Sequence, residues 1–498
     1  MKEKEIGRAV VLNTLTQWGY LGISFIAGIF CVRILILRLG GEIYGLWTVI
    51  FSLAGYTWIL EAGLSPAVSR YVSTEYLKEK KENLSKIVST GFLTSSLTGI
   101  LVLLLGTCFL PFLKKLIPSP QFSATLLFFL ILLSIATSSF YSSFREVFTG
   151  LNRFYVVNGV KSLTEFIRVF LLYLLIHRGT DILKVAWIYL GLEIFQGFVF
   201  FSLLPVPVSF RFVDRDYLRK LLSFSLGAFA VVVAGRIFYS TDYIIIQYFL
   251  SPLHVALYSL ALKPVIYLTG ITGKFSSVML PVFGGYHGIE KPEKIKDGFF
   301  RACKFTTSIS FLLGIPLLVY GREIISLWVG KEYASAYPYL LIMGIPHLLY
   351  LIFHPGGALV YALNRIKFFA WMHILSAILN VSLTLAFVKY GLYGVAWGTA
   401  VPVIIFHIFI LPWYYLKTLS IPLPLFFQKS LKTPLILFIP YALLLFYTPF
   451  RYSFPIYLLF LILFLKFIPD EREKSILKSF LTFSIIQKKG GEDEEGHS

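Results

Sequence analysis

The chain has 498 residues, of which 57% are hydrophobic and only 14% charged, and its mean hydropathy is +0.76. Water-soluble domains carry about 25% charged residues, so this composition excludes a string of soluble domains and points to a polytopic membrane protein. The formal net charge of +19 would suggest nucleic acid in a soluble chain, but in a membrane protein it has to be read by position.

Crossing the hydrocarbon as a helix takes about 20 mostly apolar residues, because lipid offers no partner for backbone N–H and C=O groups. About fourteen such runs are expected. In chain order they cover 9–36, 43–65, 87–113, 123–148, 155–176 and 183–204, then 221–250, 255–283, 299–319, 339–363, 368–388 and 392–416. Two shorter runs, 435–447 and 454–467, are interrupted by Pro440, Pro449 and Pro455 and fall below the usual spanning length. Residues 1–8 are polar and no small-residue cleavage site follows the first run, so an uncleaved first helix is expected.

When loops are assigned alternately to the two sides, Lys and Arg favour the side of the N-terminus roughly threefold, which puts both termini in the cytoplasm. The positive charge is thus accounted for by topology, and no nucleic-acid partner is expected. Charged stretches such as 78–82 and 291–296 read as solvated faces. Cys31, Cys108 and Cys303 each stand alone in an apolar segment, offer neither a disulfide framework nor metal spacing, and are expected to be small core residues.

The chain repeats itself. Leu151-Asn152-Arg153 recurs as Leu363-Asn364-Arg365, and Val185-Ala186-Trp187 as Val395-Ala396-Trp397. Gly45-Leu46-Trp47 corresponds in character to Ala256-Leu257-Tyr258. These near-equal offsets at equivalent positions imply a duplicated unit of six spans, with both copies in the same orientation. The expected fold is an all-α integral membrane protein of two six-helix bundles in parallel pseudo-two-fold repeat, plus two C-terminal helices. Expected boundaries are 1–210 and 211–420 for the bundles, 421–468 for the extra helices and 469–498 for a polar cytoplasmic tail. Like-oriented bundles of this kind enclose a cleft that rocking opens to each side in turn.

Charges inside spans are costly and face a wet cavity or one another. Glu61 and Lys274 sit near cytoplasmic ends, where snorkelling explains them. Glu165 and Arg168, spaced i, i+3, can neutralise each other on one helix face. Glu193 has no oppositely charged neighbour in sequence, which leaves protonation, pairing across helices or a coupling-ion site open. Arg236 and Asp242 are six residues apart, about 120° off a common face, and are not expected to pair directly. Lys263 lies about 14 Å down its span. Arg236 and Lys263 suit a phosphate or pyrophosphate; alternatively, they pair with Glu193, Asp242 or backbone carbonyls to hold helices together.

His347 and His354 share a face without a carboxylate beside them and read as packed or cavity-lining. The break at His354-Pro355-Gly356-Gly357 marks a bend or a cavity wall. No phosphate-binding Gly-rich loop, zinc motif or nucleophile–base pair is visible, and the connectors are too short for a nucleotide-hydrolysing domain. Neither a metal nor a resident cofactor is expected. Energy would come from H+, Na+, the membrane potential or substrate supply.

With these features assembled, the chain resembles the polysaccharide-biosynthesis flippases of the multidrug/oligosaccharidyl-lipid/polysaccharide exporter superfamily. The resemblance is carried by the turn Leu39-Gly40-Gly41-Glu42-Ile43-Tyr44-Gly45-Leu46-Trp47 and by Glu61-Ala62-Gly63-Leu64-Ser65-Pro66-Ala67. Ser240-Thr241-Asp242-Tyr243-Ile244-Ile245-Ile246 is similar to that family's Asp-containing segment, and Leu327-Trp328-Val329-Gly330-Lys331-Glu332-Tyr333 to its outer loop. The resemblance implies a cytoplasmic-membrane flippase for an undecaprenyl-pyrophosphate-linked saccharide, with no enzymatic activity of its own. The partners it implies are that lipid-linked substrate, the bilayer and other polysaccharide assembly proteins. It also implies a cationic cleft with Arg33, Arg236 and Lys263 as substrate-binding candidates, and Glu165, Glu193 and Asp242 as coupling or gating carboxylates. Three rival readings are a cation-coupled multidrug exporter, a peptidoglycan-precursor flippase, and a membrane glycosyltransferase, polymerase or ligase; the last class usually carries a long catalytic outer loop that this chain lacks.

Overall fold

The computed structural model describes residues 3–61, 64–77, 81–117, 123–177 and 179–469. The side chain of Glu61, residues 62–63 and 78–80, and the tail from 470 onward lie outside the described residues, with the expectations attached to them.

Every regular element among the described residues is helical. The chain opens with α1 (Glu3–Leu39), α2 (Gly41–Gly55), a 3₁₀ segment (Tyr56–Glu61) and α3 (Leu64–Leu77). Then come α4 (Lys81–Cys108), α5 (Leu110–Leu116), α6 (Ala124–Gly150), α7 (Phe154–Leu175) and α8 (Leu183–Ser202). The long helices α9 (Arg215–Phe249), α10 (Pro252–Gly288) and α11 (Pro292–Val319) follow, then α12 (Gly321–Val329), α13 (Tyr337–Tyr350) and α14 (Pro355–Ala362). The remainder is α15 (Ile366–Phe387), α16 (Leu392–Pro402), α17 (Leu411–Thr418), α18 (Leu423–Phe426), α19 (Lys432–Tyr447) and α20 (Ser453–Phe467).

Eleven helical segments among the described residues are long and apolar enough to cross a membrane. The expected second, fifth and seventh spans are not among these eleven. The second comprises α2, the 3₁₀ segment and the start of α3, with residues 62–63 outside the described residues. The fifth, α7, carries Lys161, Glu165 and Arg168 within its 22 residues, and in the seventh, α9, the side chains of 222–232 lie outside the described residues. The C-terminal runs are longer than the sequence suggests. A π-helical stretch (Phe427–Leu431) joins α18 to α19, giving a 25-residue segment, Leu423–Tyr447. Another π-helical stretch (Val403–Ile410) joins α16 to α17 just before Pro412, which has no N–H to continue regular pairing. The tenth span changes to a 3₁₀ turn at Leu351–Phe353, where the His354-Pro355 break was expected to disturb it.

The repeated tripeptides are the same local devices used twice. Asn152 and Asn364 both take positive φ, 58° and 54°, closing α6 and α14. In each, the following Arg N–H bonds a carbonyl five residues back, Phe148 or Val360, at 2.8 Å, the 6→1 bond of a Schellman cap. Asn tolerates the left-handed region because its short side chain bonds locally. Val185-Ala186 and Val395-Ala396 are fully buried, while Trp187 and Trp397 are 57% and 47% exposed. Each copy thus starts a helix with a packed small pair and an outward Trp of the kind that anchors membrane interfaces.

Packing divides the chain into two compact units that do not follow chain order. The first holds 1–263, 324–343 and 370–402; the second holds 264–323, 344–369 and 403–498. In the first unit α4 packs on α6, α1 on α7 and α6 on α8, around a core that includes Val72, Ile87, Phe148 and Phe200. Ser142 donates to Ser95 at 3.1 Å between α6 and α4, a polar contact between small residues that lets the helix backbones come close. In the second unit α11 packs on α19 and α20, with Phe426 stacked on Phe353 at 4.8 Å and Tyr441 donating to the Leu312 carbonyl. Cys31 and Cys303 are buried as expected, whereas Cys108 is exposed.

Candidate functional site

The charged residues singled out from sequence concentrate in the first unit, and the structure sets two of the cations, Arg168 and Arg236, against one aromatic wall. Trp47 and Phe51 on α2 and Trp58 on the following 3₁₀ segment recur at four and seven residues, the spacing of one helix face. Trp47 stacks on Phe51 at 5.9 Å, and Phe51 meets Trp58 edge-on at 5.7 Å. Tyr189 of α8 extends the wall, 5.2 Å from Trp47 and 6.3 Å from Phe51. Phe51, Trp58 and Tyr189 are only half-buried.

Arg236 of α9 lies 4.6 Å over the Trp58 ring, and Arg168 of α7 lies 4.8 Å over Tyr189, both within cation–π range. Lys263 of α10 is half-buried. The close approach of α10 to α2 depends on Gly45, where a Cβ would sit 1.9 Å from the Pro252 carbonyl oxygen. Arg236 has a long 3.5 Å contact to Ser240 and, among the described residues, no carboxylate partner. Arg168 donates through one nitrogen to both oxygens of Glu165, at 2.9 and 2.8 Å, while its Nε has no acceptor among the described residues.

Asp242 sits six residues beyond Arg236 in a different environment. It is 1% exposed and accepts from Tyr258 of α10 at 2.6 Å and from Thr399 of α16 at 2.7 Å on Oδ2, and from Thr384 of α15 at 3.0 Å on Oδ1. Asn380 completes the nest by donating to Thr399 at 3.3 Å. Four helices therefore converge on one carboxylate through neutral hydroxyl and amide groups, and among the described residues no Lys or Arg pairs with it. Buried charges are normally paired or fully hydrogen-bonded, and here the second solution applies.

The remaining candidates have visible partners. Arg33 donates to the backbone carbonyls of Leu327 and Trp328, and Trp328 Nε1 donates to the Ile29 carbonyl at 2.9 Å, so the end of α12 is latched to α1. Glu193 accepts from Tyr141 at 2.6 Å, a pairing across helices α8 and α6. Glu165 forms its ion pair with Arg168 at 2.8 Å on the same helix face. In the second unit His354 shares a 3.0 Å hydrogen bond with Thr272, and His347 is buried beside Tyr350. No group of three or more His, Cys, Asp or Glu residues suited to a metal ion occurs among the described residues.

Sequence reasoning passed over the aromatic wall, Tyr258, Thr384, Asn380 and Thr399. The four- and seven-residue recurrence of Trp47, Phe51 and Trp58 was legible, but in a chain that is 17% aromatic such a stripe does not stand out from rings that face lipid or core.

A family model described as polysaccharide biosynthesis protein matches residues 7–287. Among solved structures, lipid II flippase MurJ in an inward closed conformation aligns over 92% of this chain and all of its own, with a TM-score of 0.69 and 16% identity. An inward-facing multidrug resistance MATE family transporter of the MOP superfamily aligns over 83% of this chain and 98% of its own, with a TM-score of 0.62 and 16% identity. An outward-facing MATE transporter gives a TM-score of 0.57 over 83% of this chain and 94% of its own, again at 16% identity. At these identities the likeness speaks for the fold. No curated protein matches the chain in sequence.

Proposed function

The chain belongs to the polysaccharide biosynthesis protein family, and on that premise we propose that it is a flippase that carries an undecaprenyl-pyrophosphate-linked saccharide across the cytoplasmic membrane by alternating access. One observation carries the reading: Arg168 and Arg236 are held half-buried on a wall of Trp58, Phe51, Trp47 and Tyr189, and Lys263 is half-buried on α10 near enough to Tyr189 to act on it electrostatically. Guanidinium groups take phosphate oxygens in a planar fork, and lysine adds a compact charge. Flat aromatic faces offer apolar surface to sugar rings, so the two chemistries of a saccharide pyrophosphate find counterparts side by side. Both termini lie in the cytoplasm in this reading, and the protein acts alongside other polysaccharide assembly proteins.

Arg236 and Lys263 bind the pyrophosphate. Arg168 is added to them because its Nε points to no acceptor, while Arg33 steadies the end of α12. Asp242 is the coupling carboxylate. Its partners are neutral hydroxyls on three other helices, so H+ or Na+ can bind there without displacing an ion pair, and a change in its charge is felt by all three contacts. The rival reading, an exporter of cationic drugs, needs accessible carboxylates. Glu165 is neutralised by Arg168, Glu193 is bonded to Tyr141 and Asp242 is buried, so the accessible charge is positive.

The test is the double variant Arg236→Ala/Lys263→Ala in cells depleted of the native protein. It should insert normally and leave the lipid-linked saccharide on the inner leaflet, whereas full complementation would remove the site from consideration. Sugar transfer by the purified protein would instead make it an enzyme.

A further inference from the structure

Helices α7 and α8 share a groove of about 620 Å³. It lies in the size range of small-molecule sites, about 300–1,000 Å³. Its walls are Leu171 and Leu175 on α7 and Trp187 and Phe195 on α8. Its floor passes Gly191, where an added Cβ would meet nothing within 4 Å. Lys184, at the first turn of α8, is the one charged side chain among the described residues that line it, and it is exposed.

Length identifies the occupant. From Lys184 to Phe195 the helix advances about 16 Å at 1.5 Å per residue. Half of the hydrocarbon thickness is about 15 Å, so the groove runs from the interface to mid-bilayer, the depth of one leaflet. A single acyl chain fills that depth with its headgroup phosphate level with Lys184 and the Trp187 ring, both of which are side chains suited to the interface. A polyprenyl chain is too long for a half-bilayer slot.

We propose that the α7–α8 groove is a binding site for an anionic phospholipid, one acyl chain lying along Gly191 and the phosphate held by Lys184. None of its lining residues belongs to the cationic wall, and the proposal does not depend on the transport reading.

Native mass spectrometry of the purified full chain, titrated with phosphatidylglycerol, phosphatidylcholine or polyprenyl phosphate, tests it. Phosphatidylglycerol should be retained about tenfold more tightly than phosphatidylcholine, the worth of one charge-assisted contact of roughly 1.4 kcal/mol. Lys184→Gln should bring the two lipids to near equality, and Gly191→Phe should weaken both. Equal retention of the two lipids by the unaltered protein, or phosphatidylglycerol binding unaffected by either variant, would overturn the proposal. So would displacement of phosphatidylglycerol by equimolar polyprenyl phosphate, which would reassign the groove to a polyprenyl tail. Lys184 is on the surface, so its variant reports even where the bulkier Gly191→Phe fails to fold.

Discussion

Arg236 and Asp242 lie on one helix, six residues apart, and meet opposite fates. The carboxylate is sealed at 1% exposure, with hydroxyl donors from three other helices turned onto it. The guanidinium is half-buried, leans on a Trp face and has no carboxylate partner among the described residues. A charge whose hydrogen bonds are complete contributes to how the helices pack and responds only to something as small as H+ or Na+. A charge resting on an aromatic ring retains donor capacity for a large ligand. In the proposed reading the same helix therefore supplies a packing element and a binding element, distinguished by their partners and not by charge type.

That contrast predicts different readouts for the two positions. The largest effect is on stability. Asp242→Ala orphans buried donors on three helices, at about 1–3 kcal/mol each before they re-pair, so a loss of about 3 kcal/mol is expected in thermal unfolding in detergent. Unchanged stability would show that the nest is not a packing element. Asp242→Asn keeps the shape and should abolish the dependence of transport on Na+ or pH while the protein remains folded.

The next effect is on transport. Arg236→Ala/Lys263→Ala removes two charged contacts worth about 1.5 kcal/mol each, so flipping should fall about 100-fold with stability altered by less than about 1 kcal/mol. A matching loss of stability would place these cations with Asp242 as packing residues. Trp58→Leu sharpens the comparison further. It removes a cation–π contact of about 1 kcal/mol, so a roughly fivefold loss of transport is expected, measured by saccharide accumulation at the inner leaflet. The smallest effect concerns neither region. Asn364→Ala should cost about 1 kcal/mol by forcing a Cβ residue without local bonding into positive φ, and Asn364→Gly should be close to neutral in the same unfolding assay.

Much of the fold was legible because each of its signals is local. Hydropathy over about 20 residues marks the spans, and the recurring Leu-Asn-Arg and Val-Ala-Trp tripeptides mark helix ends, where cap geometry and interface anchoring depend on adjacent residues. The Glu165–Arg168 pair was legible for the same reason, since i, i+3 neighbours meet on any helix. The second and tenth spans were harder. Nothing in the hydropathy of 43–65 separates α2 from the 3₁₀ segment that carries Trp58, and the Leu351–Phe353 turn was visible only as a proline–glycine break.

The candidate site was legible only in its charges. Length, hydropathy and the position of Lys and Arg determined by themselves that this is a multi-pass helical membrane protein with cations inside its spans, because the cost of polar groups in hydrocarbon acts along the chain. Only the tertiary structure decided what those charges touch. Thr399 is 157 residues from Asp242, and Tyr189 comes to Trp47 from another helix. Contacts of that range are set by how helices pack side chain against side chain, and packing shape leaves no periodic mark on the sequence.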